Sequence, residues 1–179
     1  WKKIAVAVII SGLIIFIQLA YWKYTAGEWI VYSYGDQGFN WLHPAIKRGL
    51  IGANIGWWLY TPLMLFAMPG WYVVYKKHST IFWPTFLTTM LAIYITLSWA
   101  HFESGGGLGQ RNLIQIYPLM AFPLAALIGW FYQSKIGRWS IIVIIAFNIY
   151  YTGWWINQAH KGGFFQAGQM TKAYFLNVV

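Results

Sequence analysis

The chain alternates between long apolar runs and shorter polar connections. The apolar runs cover residues 4–22, 57–75, 81–100, 113–132 and 139–157. Each is close to the ~20 residues that a helix needs to cross ~30 Å of hydrocarbon. The runs are continuous and show no two-residue alternation, so their period argues for helix over strand. A helix also satisfies its own backbone hydrogen bonds where no water is present. The pattern predicts an all-α integral membrane domain over 1–179, with about five transmembrane helices.

Prolines interrupt several runs: Pro62 and Pro69 in the second, Pro84 in the third, Pro118 and Pro123 in the fourth. Each removes a backbone donor and tends to kink a helix, which membrane helices tolerate. Pro69-Gly70 is where the second run would end early or split into two half-helices.

The connections differ in length and charge. Lys2/Lys3, Lys76/Lys77 and Lys135/Arg138 sit in short ones, while 23–56, 101–112 and 158–179 are long and hold Glu28, Asp36 and Glu103, the only acids. Dense Lys and Arg in short loops mark the cytoplasmic side. The long connections and the C-terminus are then extracytoplasmic. Segment 23–56 reads as a lid, with a short amphipathic helix over 43–50 that starts on Pro44. Segment 158–179 reads as a tail with a final short helix. Both are rich in aromatic residues and are expected to fold together as a cap.

Composition narrows the solvent further. The chain is 59% hydrophobic and 8% charged, against about a quarter charged in soluble domains. Its 13 Trp and 13 Tyr suit the boundary between lipid and water. The net charge of +9 does not point to nucleic acid, because the basic residues come in ones and twos between apolar runs. With no cysteine, disulfides, thiolate metal sites and cysteine nucleophiles are excluded. Lys2 and Lys3 lead from Trp1 into a run with no small-residue cleavage site, which reads as a piece of a longer polypeptide rather than a signal peptide.

Candidate chemistry concentrates in 101–112, "HFESGGGLGQRN". Gly105, Gly106 and Gly109 permit close backbone approach and can aim N–H groups at an anion. Gln110 and Arg111 follow at the start of the fourth run, where a guanidinium can grip phosphate with two prongs. Arg111 either does this or anchors a helix end among headgroups. Glu103 is open to pairing with Arg111, to acid–base work or to metal binding. His101, with His43 and His160 on the same side, keeps a divalent cation conceivable, but no metal-ligand spacing on a helix appears and no ligand is assigned.

Four stretches, "YSYGDQGFNWLHP", "GWWLYTPLMLFAMPGWYVVYKK", "SWAHFESGGGLGQRNLIQIYPLMAFPLAALI" and "GQMTKAYF", resemble the C-terminal half of GT-C-type, protein-mannosyltransferase-like membrane glycosyltransferases of Bacteroidetes-type bacteria. The resemblance covers most of 29–175, and the glycine loop with Gln110-Arg111 followed by "YPLMAFPLA" is its most specific part. It implies a bacterial inner-membrane protein with a periplasmic C-terminus, and transfer of a sugar from a polyprenyl-phosphate donor on the extracytoplasmic face. The loop glycines, Gln110 and Arg111 would hold the carrier phosphate, with Glu103 and His101 lining the acceptor side. The catalytic acid of the family belongs to an N-terminal half, so no residue here is assigned that role. The alternative is a non-catalytic accessory subunit with the same fold remnant, packing with other membrane subunits.

Overall fold

The computed structural model describes residues 2–31, 35, 37–103, 107–161 and 163–178. Regular structure is helical. Among the described residues the only strand-like pairing is an isolated bridge between Phe39 and Trp99. The chain divides into two compact units, Trp1–Gln37 and Gly38–Val179.

The first unit is built on α1 (Lys2–Ala26). Its sequence is apolar around the whole circumference, a pattern compatible with a membrane span. It stops at Gly27, whose φ of +76° is a left-handed cap. The Lys23 ammonium donates to the freed Gly27 carbonyl at 2.7 Å.

The second unit holds α2 (Ile46–Ile51), α3 (Trp57–Tyr60), α4 (Pro62–Ala67), α5 (Gly70–Lys77) and α6 (Ser79–Ser98). A 3₁₀ helix, η1 (Arg111–Ile116), then leads into α7 (Tyr117–Phe131), α8 (Lys135–His160) and α9 (Lys172–Val178). The helix expected to begin on Pro44 begins two residues later. Ala45 is its cap, and Pro44 uses its carbonyl to accept from the Ile46 N–H at 2.9 Å.

Among the described residues, four helical stretches are long and apolar enough to cross a membrane: Lys3–Ala26, Ser79–Ser98, Arg111–Phe131 and Lys135–His160, with mean hydropathies of 2.5, 1.5, 1.6 and 1.4. The run 57–75 is different: it is divided among α3, α4 and α5. Two prolines account for this. Pro62 has no N–H for the Trp58 carbonyl, and a residue before proline is pushed out of the helical region. Thr61 accordingly sits at φ −134°, ψ 66°. Pro69 cannot bond the Leu65 carbonyl, which accepts from Met68 N at 3.1 Å instead. Pro118 has the same effect on the Ile114 carbonyl, which bonds Tyr117 N where η1 gives way to α7. At Pro69 and Pro118 the missing proline donor thus tightens the preceding turn from four residues to three.

The broken run still traverses the second unit from end to end, alongside α7. Near one end, Trp57 Nε1 donates to the Tyr117 hydroxyl at 3.3 Å. In the middle, a Cβ on Gly70 would collide with the Pro123 carbonyl. At the other end, Lys76 and Lys77 share a groove with Leu127 and Trp130. α6 returns beside them, with Phe82 against Trp71 at 6.0 Å and near-perpendicular. The main core is Trp57, Met64, Ala67, Trp71, Val74, Phe82, Leu113, Ile116 and Met120.

The outward faces of the long helices stay apolar. Leu87 and Leu91 of α6, and Val143, Phe147 and Ile149 of α8, are more than half exposed. Contiguous apolar surface of this kind calls for a non-aqueous neighbour.

Candidate functional site

The lid segment from Gly38 onward is stitched to the C-terminal end of α6. Asn40 N donates to Ser98 O at 2.6 Å, Ala45 N to Leu97 O at 2.8 Å, and Ala100 N to Gly38 O at 2.9 Å. Gly49 lies so close to the Leu97 side chain that a Cβ there would collide with it. Ile55, Leu97 and Phe102 form a small core under this junction. Phe102 thereby fixes the start of the glycine loop.

The tail closes the same end. Trp155 of α8 is fully buried, as is Tyr60, and both pack with Phe165, Met170 and Phe175 from the tail. Trp155 stacks on Phe175 with rings 5.4 Å apart. Ala53 and Leu108 pack against this cluster. The 38–56 half of the expected lid, the glycine loop and the tail therefore share one end of the second unit.

Glu103 pairs with Arg48, not with Arg111. Arg48 donates from Nε at 3.1 Å and from Nη2 at 2.7 Å, both to Oε1. Asn54 Nδ2 lies 3.5 Å from Oε2. The Arg48 guanidinium also sits 5.1 Å from the centre of the Phe102 ring, a cation–π arrangement. The pair is partly exposed, at 67% and 37% for the two side chains, so its contribution to stability is about 0–1 kcal/mol. Its larger effect is to fix the position of Arg48 and to occupy the carboxylate.

Arg111 is exposed at the first residue of η1. Among the described residues it has no hydrogen-bond or ion-pair partner. Gly107 lies against its stem, where a Cβ would be 3.6 Å from Arg111 Cδ. Gln110 is 4% exposed, and its Nε2 is buried with no hydrogen-bond partner among the described residues. Such a group costs about 1–3 kcal/mol unless something accepts from it. Gly109 has φ +66°, and a Cβ on it would press within 3.2 Å of Tyr60 Cβ, so the left-handed turn and the packing both require glycine. Gly105 and Gly106 lie outside the described residues. A groove of ≈ 410 Å³ opens beside the loop, lined by Gly107, Leu108, Ile156, His160 and Phe165.

His101 is exposed, with its ring 6.4 Å from that of Trp99. Among the described residues no group of three His, Cys, Asp or Glu side chains is placed to hold a metal ion. Glu103 is committed to Arg48 and Asn54 instead.

Sequence reading picked out Arg111 and Gln110 but missed Arg48 and Asn54 as partners of Glu103. Lys47 and Arg48 were visible as basic residues in a long connection, where topology alone does not call for them. That mismatch was the available signal.

Comparison with protein-family models, with curated proteins and with solved structures gives no match.

Proposed function

We propose that this chain is the membrane-embedded portion of a glycosyltransferase that holds a polyprenyl-phosphate-linked sugar donor at the 101–112 loop. In this reading the protein lies in a bacterial inner membrane, and the loop and C-terminus face the periplasm. Five segments cross the bilayer. Four are the long apolar helices, and the fifth is the broken run α3–α5. Its crossing is what lets α6 follow after His78 alone and puts Lys76/Lys77 with Lys135/Arg138 on the cytoplasmic side.

One observation carries the donor site. Among the described residues, the exposed Arg111 guanidinium has no ion-pair partner and the buried amide donor of the adjacent Gln110 has no hydrogen-bond partner. With Glu103 engaged by Arg48, an incoming phosphate would meet the exposed Arg111 guanidinium without Glu103 competing for it. Charge-assisted hydrogen bonds to such a group contribute roughly 1.5–3 kcal/mol each.

The occupied state of Glu103 favours a second reading, a non-catalytic accessory subunit of a larger membrane complex. A carboxylate held by Arg48 is not free to take a proton from an acceptor sugar or side chain.

Binding of a short-chain polyprenyl phosphate by the full chain distinguishes the two. Arg111→Lys keeps charge but loses the two-pronged geometry. It is expected to weaken binding about tenfold, and Arg111→Ala more, if one charge-assisted bond is lost. Equal binding by wild type and both variants contradicts the donor site and leaves the accessory reading.

A further inference from the structure

A second cluster of cations stands at the same end of the molecule, away from Arg111. Helices α2 and α9 flank a cleft of ≈ 420 Å³. Ile51, Phe175 and Leu176 give it apolar walls, and Lys47, Arg48 and Lys172 line it with positive charge. Lys47 and Lys172 have no hydrogen-bond or ion-pair partner among the described residues. Glu103 offsets one of the three cations, so three minus one leaves a formal charge of +2. Both bonds from Arg48 to that carboxylate use Nε and Nη2, and Nη1 stays uncommitted.

The cleft is built rather than incidental. Its α2 side is tied to the end of α6 through Ala45 N and Leu97 O. Its α9 side is tied to the end of α8 through the stacked Phe175 and Trp155 rings. If α6 and α8 cross a bilayer, these ends lie at headgroup level. Ile51 and Leu176, 54% and 65% exposed, then offer apolar surface at that level beside Lys47, Arg48 and Lys172. Water-soluble anions have no use for such walls. An amphiphile with an anionic head does.

We propose that this cleft seats an anionic bilayer phospholipid. Its phosphodiester lies between Lys47, Lys172 and the free edge of Arg48, and the first methylenes of an acyl chain run along Ile51, Phe175 and Leu176. Such a lipid joins the lid to the tail by bridging charges on two elements that otherwise repel. The proposal rests on the membrane crossing given under the proposed function, but not on phosphate binding at Arg111.

The test is native mass spectrometry of the full chain in detergent with equal amounts of phosphatidylglycerol and phosphatidylcholine. Wild type is expected to retain phosphatidylglycerol preferentially. Replacing Lys47→Gln together with Lys172→Gln should cut that retention about twenty-fivefold, at roughly fivefold per lysine near an anionic lipid surface. The pair Lys76→Gln and Lys77→Gln, at the other end, should leave it unchanged. Photoactivatable phosphatidylglycerol on wild type should label peptides containing 47–51 and 172–176, which tests the site without any variant. Unchanged retention in the Lys47/Lys172 pair, or labelling confined to other helices, overturns the proposal. So does displacement by inorganic phosphate alone, which would mean a free-anion site. Displacement by a polyprenyl phosphate at far lower concentration than by phosphatidylglycerol overturns it too, by making the cleft a donor site.

Discussion

Segment 57–77 and helix α8 are similar in length and in apolar character, yet they are built in opposite ways. The first is broken twice and deeply buried. Besides Gly70, its buried positions are Trp57, Tyr60, Met64, Ala67, Trp71 and Val74, a three–four spacing that runs on through both breaks. The second is one helix of 26 residues, with buried side chains only at Ile141, Asn148 and Trp155 besides Gly137. Continuity of the hydrogen-bond ladder is therefore not what holds a segment in place here. The broken run is held from outside: the Tyr151 hydroxyl of α8 donates to the freed Leu59 carbonyl at 3.0 Å. If these helices lie in lipid, as proposed, apolar neighbours give little driving force between them, so close backbone approach and such hydrogen bonds matter more.

The largest way to sharpen this contrast uses two tryptophans. Trp57→Ala removes a fully buried ring and its bond to Tyr117, and should cost about 3–5 kcal/mol. Trp139→Ala removes one that is 64% exposed and should cost well under half as much. Denaturant unfolding of both in one detergent compares them. Similar losses would mean that α8 is packed as tightly as the broken run.

Glycine substitution comes next. Gly70→Ala forces a methyl into the Pro123 backbone, which cannot turn aside as a side chain can, and should destabilise by about 1–3 kcal/mol. Gly153 of α8 has nothing within 4 Å of an added Cβ, so Gly153→Ala should stabilise by roughly 0.5–1 kcal/mol. Thermal unfolding midpoints moving in opposite directions is the expected result.

Two smaller effects follow. Tyr151→Phe strands the Leu59 carbonyl and should cost about 1 kcal/mol, read as faster amide exchange around 59–63. Glu103→Gln weakens a partly exposed pair and should cost no more than about 1 kcal/mol in the same unfolding assay.

The sequence pattern was a good guide to which segments are apolar and long, and a poor guide to which side of each is buried. In η1 and α7 the buried Leu113, Ile116, Met120 and Leu127 alternate with the exposed Ile114, Phe122 and Trp130. Both sets are equally apolar, so hydropathy along the chain does not tell the packed face from the outer one. The break at Pro69-Gly70 was legible, while the sharper one at Thr61-Pro62 was read as an ordinary kink. In the site, Arg111 and Gln110 were legible from their place after the glycines. The Arg48–Glu103 pair was not, since its members are 55 residues apart and nothing local links them.

The proposed donor site faces the periplasm only if 57–77 carries the chain across a bilayer, broken or not. Single-cysteine labelling with a membrane-impermeant reagent in oriented vesicles measures this directly, using Lys77→Cys and Gly107→Cys in the full chain. The expected result is that Lys77→Cys reacts only from the cytoplasmic side and Gly107→Cys only from the opposite side. Reaction of both from one side would contradict the crossing, and with it the placement of Arg111 at an extracytoplasmic donor site.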